Sequence, residues 1–225
     1  MKKTIVIMTK VPQAGKVKTR LQPFLTARLS AEISICFLQD TEQKAKTVTR
    51  NLIIAFSPFE KKNLLIDILQ TKPILVEQNG KNLGDRMFHA FDFAFSRDSD
   101  AVVMIGTDSP TFPVEYIKQA FIFLETKSDA VLGKTEDGGF YLIGLRILDK
   151  RIFENVEWSS ALTFRQTKQN IENLNLNLSD IPVWYDVDTP KDLLKLEKEL
   201  ADNQQLAPRT FEFFKNLKLS INTNT

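Results

Sequence analysis

One cysteine and one histidine stand in 225 residues, and these scarcities remove whole classes of chemistry. A single thiol, Cys36, forms no intramolecular disulfide and suits a reducing compartment. It lies in the apolar stretch Ile33–Leu38, which predicts a buried helical position and not a nucleophile. With one Cys and one His, a zinc site has too few of its usual ligands. His89 falls on the more polar side of a helical stretch and reads as a surface residue, and no Gly-x-Ser-x-Gly supports a serine nucleophile. Glycine is also sparse, with eight residues, and neither Gly-x₄-Gly-Lys-Ser/Thr nor Gly-x-Gly-x-x-Gly occurs after the first apolar run. A Walker site and a dinucleotide fingerprint are therefore absent.

Net charge is small as well: 30 basic residues oppose 28 acidic ones, so no global field recruits nucleic acid. No apolar run approaches the ~20 residues that a membrane span needs. Met1-Lys2-Lys3 imitates the start of a signal peptide, but the apolar stretch behind it ends at Lys10, too soon for a cleavable one. These features predict a cytoplasmic protein.

What is present is alternation. Strand-like runs cover 4–9, 51–57, 73–77, 101–105, 129–133 and 139–145, and a further run ends at Trp184. Helical periodicity covers 28–47, 60–70, 82–96, 113–125, 160–173, 190–202 and 208–217. Ser30 fits a helix N-cap, Pro113 a first helical position, and Thr189 or Asp188 an N-cap ahead of Pro190. Within 82–96, Leu83, Met87, Phe91, Ala94 and Phe95 share one face as a packing stripe. Strands separated by helices of this length predict βαβ units, a mainly parallel sheet and helices on both faces. The pair 129–133 and 139–145 predicts a hairpin-like excursion that makes the sheet mixed. One domain is expected over 1–202, with an appended helix and frayed tail over 203–225.

Four segments carry chemistry. After the first strand, Lys10, Lys16, Lys18 and Arg20 place four cations in eleven residues around Gly15. Lysines act there as mobile point charges, Arg20 can grip two oxygens at once, and Gly15 permits close backbone approach. At the end of the run 101–105 comes Gly106-Thr107-Asp108-Ser109-Pro110. Alone, Asp108 reads first as a turn-capping residue. Beside a basic loop that also follows a strand, it reads as a ligand for a hard cation shared with phosphates, because open α/β sheets bind at their carboxyl ends. Glu136-Asp137-Gly138-Gly139 reads equally as a tight turn or as backbone opened toward a ligand. Asp186 and Asp188 alternate on extended chain, where two carboxylates on one side repel unless a cation joins them.

In order, these motifs are Lys-x-Pro-x-x-Gly-x-Val-Lys-Thr-Arg-Leu at 10–21, Gln78-x-Gly80 with Leu83-Gly84-Asp85-Arg86-Met87, and Gly-Thr-Asp-Ser-Pro at 106–110. They continue with 136–145, Trp158-Ser159 followed by Gln166-Thr167, and Asp-Val-Asp-Thr-Pro-Lys-Asp-Leu at 186–193. Over residues 4–195 the chain resembles the radical-SAM/selenodomain-associated transferases, also called arsenosugar-biosynthesis glycosyltransferases. These belong to the GT-A nucleotide-diphospho-sugar transferase superfamily. The resemblance implies a GT-A, Rossmann-like α/β fold and nucleotide-phosphate contacts from Lys10, Gly15, Lys16, Lys18 and Arg20. It also implies base or ribose contacts from Gln78, Gly80, Asp85 and Arg86. Asp108 with Asp186 or Asp188 would hold Mg²⁺ or Mn²⁺, Gly138 and Gly139 would meet the sugar or acceptor, and Asp137 or Glu136 would act as base.

The chain departs from the wider pattern in having one carboxylate at 106–108 where many GT-A enzymes carry Asp-x-Asp. That feature is similar to guanylyltransferases acting on phospholactate or the molybdenum cofactor. The expected activity is metal-dependent transfer from a nucleotide-diphospho-sugar to a small acceptor. Nucleotidyl transfer from an NTP with pyrophosphate release is the alternative, and a nucleotide-binding module without chemistry a third. Base, sugar, acceptor and oligomeric state are not encoded in any motif.

Overall fold

The chain is described by a computed structural model over residues 1–22 and 24–222, with side chains as far as Leu217. Seven strands form one sheet: β1 (Lys3–Lys10), β2 (Leu52–Ser57), β3 (Ile74–Glu77), β4 (Ala101–Ile105), β5 (Ala130–Thr135), β6 (Phe140–Leu145) and β7 (Leu178–Trp184). Their order across the sheet is β3-β2-β1-β4-β6-β5-β7. All neighbours run parallel except β6, which is antiparallel to both β4 and β5. The expected hairpin is thus β5–β6, and it is what makes the sheet mixed.

The central strands are apolar on both faces because helices cover both. Ile5, Ile7, Val103 and Ile105 point toward α1 (Ala27–Val48) and α4 (Val114–Thr126), where Leu38, Ala45, Ile117 and Phe121 meet them. Val6, Val102 and Met104 point the other way, toward α3 (Leu83–Phe95) and α5 (Thr163–Asn173), against Met87, Phe91 and Ile171. A short α2 (Lys62–Ile68) adds Leu65 to the first layer. A third apolar cluster lies beside the sheet. There Phe37 of α1 meets Leu21, Tyr185, Val187, Leu196 of α6 (Pro190–Asp202) and Phe213 and Phe214 of α7 (Pro208–Asn222).

Three local expectations need correction. The N-cap of α1 is Thr26, whose side chain accepts from Leu29 N at 3.2 Å; Ser30 lies inside the helix. Pro113 is the N-cap of α4 and not its first helical residue. Leu83 is 39% exposed at the first turn of α3, so the packing stripe there begins at Met87. Cys36 is half-buried on the α7 side of α1, and burial pushes its thiol up to about 12. Thr189 caps α6 through a reciprocal capping box with Asp192, with Pro190 behind it. Helix α7 runs to Asn222; the rest of the expected frayed tail lies outside the described residues. No helix among the described residues is long and apolar enough to cross a membrane.

Candidate active site

β1 and β4 are neighbours in parallel register, Ile7 beside Ile105, so the basic loop and the Asp108 loop leave the same edge of the sheet side by side. The loops after β5 and β7 and the start of antiparallel β6 reach that edge too. Between them lies a cleft of about 690 Å³. Lys10, Lys16, Lys18, Arg20, Gln78, Asp108, Asp137, Gly139, Asp186 and Asp188 all line it. Gly15, Gly80, Asp85, Arg86, Glu136 and Gly138 do not.

Lys18 organises the polar side. Its side chain is only 8% exposed, and its backbone takes the left-handed conformation, φ 46° and ψ 40°. That conformation costs a non-glycine residue about 1–2 kcal/mol. In return the ammonium reaches three acceptors: Asp108, Asp188 Oδ1 at 2.9 Å and Val187 O at 2.8 Å. An ammonium has three N–H donors, so all are spent. Burial acts to lower the lysine pKa, but attraction to Asp108 and Asp188 outweighs it and holds the group above its ordinary value. Val187 closes the joint by donating its own N–H to Asp108 O at 2.8 Å. A buried cation therefore joins the two aspartate-bearing loops.

Asp186 accepts a hydrogen bond from Ser109. Burial pushes its carboxyl up to about 7; the Ser109 bond opposes this, and the charges of Asp108 and Asp137 reinforce it. Asp137 Oδ1 accepts from Thr135 Oγ1 at 2.6 Å and from Gly139 N at 3.1 Å, an Asx turn that fixes the side chain. Glu136 instead pairs with Lys195 at 3.0 Å. Both N–H bonds of the Gln78 amide go to backbone carbonyls, Thr9 O at 3.0 Å and Ala55 O at 2.8 Å. Asp85 accepts from Lys81 N, and Arg86 reaches back to Gly80 O, so this group shapes the turn before α3.

Among the described residues, no three His, Cys, Asp or Glu side chains form a group able to hold a metal ion on their own. Magnesium typically takes only one or two carboxylates and fills its shell with phosphate and water. Asp108 and Asp188 already share a positive charge, and Asp186 stands beside them, so the donor set is hard oxygen arranged around a cation. It fits Mg²⁺ or Mn²⁺ held jointly with a ligand's phosphates.

Several residues in or behind the cleft were assigned no part in the site from sequence. Ser109 holds Asp186, and its place inside Gly-Thr-Asp-Ser-Pro was the available signal. Ser34 and Phe37 enter from α1, with the Phe37 ring 5.6 Å from the Lys18 ammonium. Lys44 of α1 holds the Asp108 loop from behind, donating to Pro110 O at 2.8 Å and Phe112 O at 2.5 Å. Leu83, Met87, Phe140, Trp158 and Ser159 line the opposite wall.

No curated protein matches the chain. A crystal structure from Desulfovibrio desulfuricans G20, named as a candidate nucleotide-diphospho-sugar transferase, superposes with a TM-score of 0.91 at 29% identity over 99% of this chain and 98% of that one. A cytidylyltransferase from Leptospira borgpetersenii shares the fold with a TM-score of 0.59 at 12% identity, over 99% and 96% of the two chains. Rv0371c from Mycobacterium tuberculosis H37Rv, in complex with manganese, does so with a TM-score of 0.53 at 12% identity, over 87% and 98%. These likenesses identify the α/β fold of nucleotide-utilising transferases. Residues 38–160 match the family described as "Uncharacterized protein conserved in bacteria (DUF2064)", and the chain belongs to that family.

Proposed function

We propose that the protein is a GT-A-type, metal-dependent transferase that moves a glycosyl group from a nucleotide-diphospho-sugar to a small acceptor. It would belong to the radical-SAM/selenodomain-associated, arsenosugar-type branch and act in the cytoplasm, with its transferase unit over 1–202 braced by the appended helix α7. The observation that carries the reading is the convergence, at the carboxyl edge of the sheet, of three aspartates around Lys18, with Lys16 and Arg20 beside them. Lys16 and Arg20 form no ion pair with any described residue, so both are available to a diphosphate.

In this scheme Asp108 and Asp186 would hold the divalent cation together with the substrate's phosphates, while Asp188 keeps Lys18. The bound cation supplies charge neutralisation of the departing diphosphate. Arg20 and Lys16 take the phosphate oxygens on which negative charge grows as the glycosidic bond breaks. Asp137, oriented by Thr135 and Gly139, accepts the proton of the acceptor hydroxyl as that oxygen bonds to the anomeric carbon. Gln78 lines the base end of the cleft, with Gly80, Asp85 and Arg86 fixing the turn beneath it.

A second reading, nucleotidyl transfer, is favoured by one observation: a single carboxylate follows β4, and its companions come from the distant β7–α6 loop. Thermal shift against UDP-, GDP- and CDP-sugars and the matching NTPs, with Mg²⁺ or Mn²⁺, tests the proposal. Stabilisation by a nucleotide-sugar with metal is expected. Pyrophosphate release from an NTP in the presence of a phosphorylated acid would transfer the assignment to the second reading. No response to any nucleotide would remove both.

A further inference from the structure

The cations of the cleft all come from one segment. Every lysine or arginine that lines it lies between Lys10 and Arg20. The opposite wall carries Leu83, Met87, Phe140 and Trp158 and no cation. Trp158 is built in as a fixed plate. Its indole lies against Gly84 in the first turn of α3, so closely that a Cβ there would stand 2.6–2.7 Å from three indole atoms. It also lies edge-on to the Phe140 ring, 6.4 Å between centroids at 80°. The ring is half-buried, and its N–H donates to no described residue and stays open to solvent.

The plate stands next to Asp137. Gly138, at φ 94°, packs so tightly on Ala161 that a Cβ would fall 2.4 Å from its carbonyl oxygen, and Phe164 N donates to Gly138 O at 2.9 Å. The Trp158–Thr163 loop and the Asp137 turn are thus packed against each other.

We propose that this wall is the acceptor subsite, and that it takes a neutral ring compound: one apolar face against Trp158, one oxygen accepting from the indole N–H, a hydroxyl toward Asp137. A phosphorylated acid finds no cation there to balance its charge, and burying an unpaired phosphate is costly. This inference rests on the proposed transferase reading but concerns the second substrate only. It makes the cleft two-sided: anionic nucleotide on one wall, uncharged ring on the other.

Saturation-transfer NMR on the full chain tests it, with phenyl β-D-glucopyranoside as the neutral ring and 3-phosphoglycerate as the anionic probe. Each is run with and without Mg²⁺ and the nucleotide that gives the largest thermal shift. The parent should transfer saturation to the glucoside and not to 3-phosphoglycerate. Trp158→Ala should lower the glucoside signal at least fivefold while nucleotide affinity stays within twofold. Leu83→Asp should do the same without loss of fold, because Leu83 is exposed and a carboxylate suits the first turn of a helix; it keeps the test open if Trp158→Ala unfolds. Retention of the glucoside signal in both variants overturns the proposal, as does parent binding of 3-phosphoglycerate. So does a tenfold loss of nucleotide affinity in Trp158→Ala, which would make the plate a base platform. If the parent binds the glucoside but no nucleotide, the donor-side reading fails and the ring subsite stands.

Discussion

The two walls of the cleft are held by opposite kinds of force. The cationic wall is a charge network between segments far apart in sequence, Lys18 with Asp108 and, 170 residues on, with Asp188. The aromatic wall is steric, a tryptophan seated where a glycine leaves room. Charge networks respond to salt, pH and the arrival of another ion; packing does not. The molecule therefore places its adjustable parts where a charged ligand enters and its fixed parts where a neutral one would lie.

The largest effect should come from Asp108→Asn. Metal-supported nucleotide affinity should fall roughly a hundred-fold, the upper end of losses seen when a metal site is disturbed. The fold should survive, because the backbone bond from Val187 N to Asp108 O does not need the carboxylate. Calorimetry with and without Mg²⁺ decides it. An unchanged affinity would reduce Asp108 to a turn residue.

Lys18→Met comes next and probes the network itself. Removing one partner of a buried ion pair costs about 3–5 kcal/mol. Here Asp108 and Asp188 are 53% and 39% exposed, so solvent takes up part of the loss and about 2 kcal/mol is expected. Denaturant unfolding should show the loss shrinking as salt rises. On the other wall, Gly84→Val forces a clash with Trp158 and should cost a similar 1–3 kcal/mol. That loss should be the same at 0.05 and 0.5 M salt. If both variants respond to salt alike, the contrast between the walls is false.

Arg20→Ala should leave the melting temperature unchanged and weaken nucleotide binding about tenfold, since a charge-assisted hydrogen bond contributes ~1.5–3 kcal/mol. High salt should erase most of the difference.

The smallest effect concerns Lys44, whose burial pulls its pKa down to about 8. Between pH 8 and the ordinary lysine value, the unfolded chain holds a proton at this site that the folded chain has released. Folding stability from this group therefore rises as pH climbs through that window. The neutral amine still has two N–H bonds for Pro110 O and Phe112 O. Lys44→Met should flatten the pH dependence of the melting temperature between pH 7.5 and 9.5.

Periodicity located six of the seven strands and the helices other than α7 to within a few residues, because buried parallel strands and amphipathic helices write distinct patterns. Helix α7 runs five residues past the expected 217, and for β7 periodicity gave only the end. It also foresaw that the loops at 10–20 and 106–110 would converge, since both follow central strands. What it could not separate was four cations on one loop. Lys18 differs from Lys16 and Arg20 only through Asp188 and Val187, whose positions depend on the whole fold. The same limit applies to Gln78, whose amide is consumed by carbonyls of β1 and β2, and to Trp158, whose seat is a glycine 74 residues upstream. The Ser30 cap misled because Thr26, also competent, lies one turn earlier and wins the helix start.

Helix α7 begins on the carboxylate of Asp40, which accepts from Arg209 N at 3.0 Å, Thr210 N at 2.9 Å and the Thr210 hydroxyl at 2.7 Å. Its Phe213 and Phe214 then share one apolar cluster with Leu21, Tyr185 and Val187, the residues that anchor the basic loop and the Asp186–Asp188 segment from beneath. Anyone shortening the protein at residue 202 to obtain a tidier crystallisation target would thus remove the foundation of the ion-binding loops. The truncated protein would keep every aspartate and every lysine named above and still lose their alignment, and its inactivity would be mistaken for a missing catalytic group.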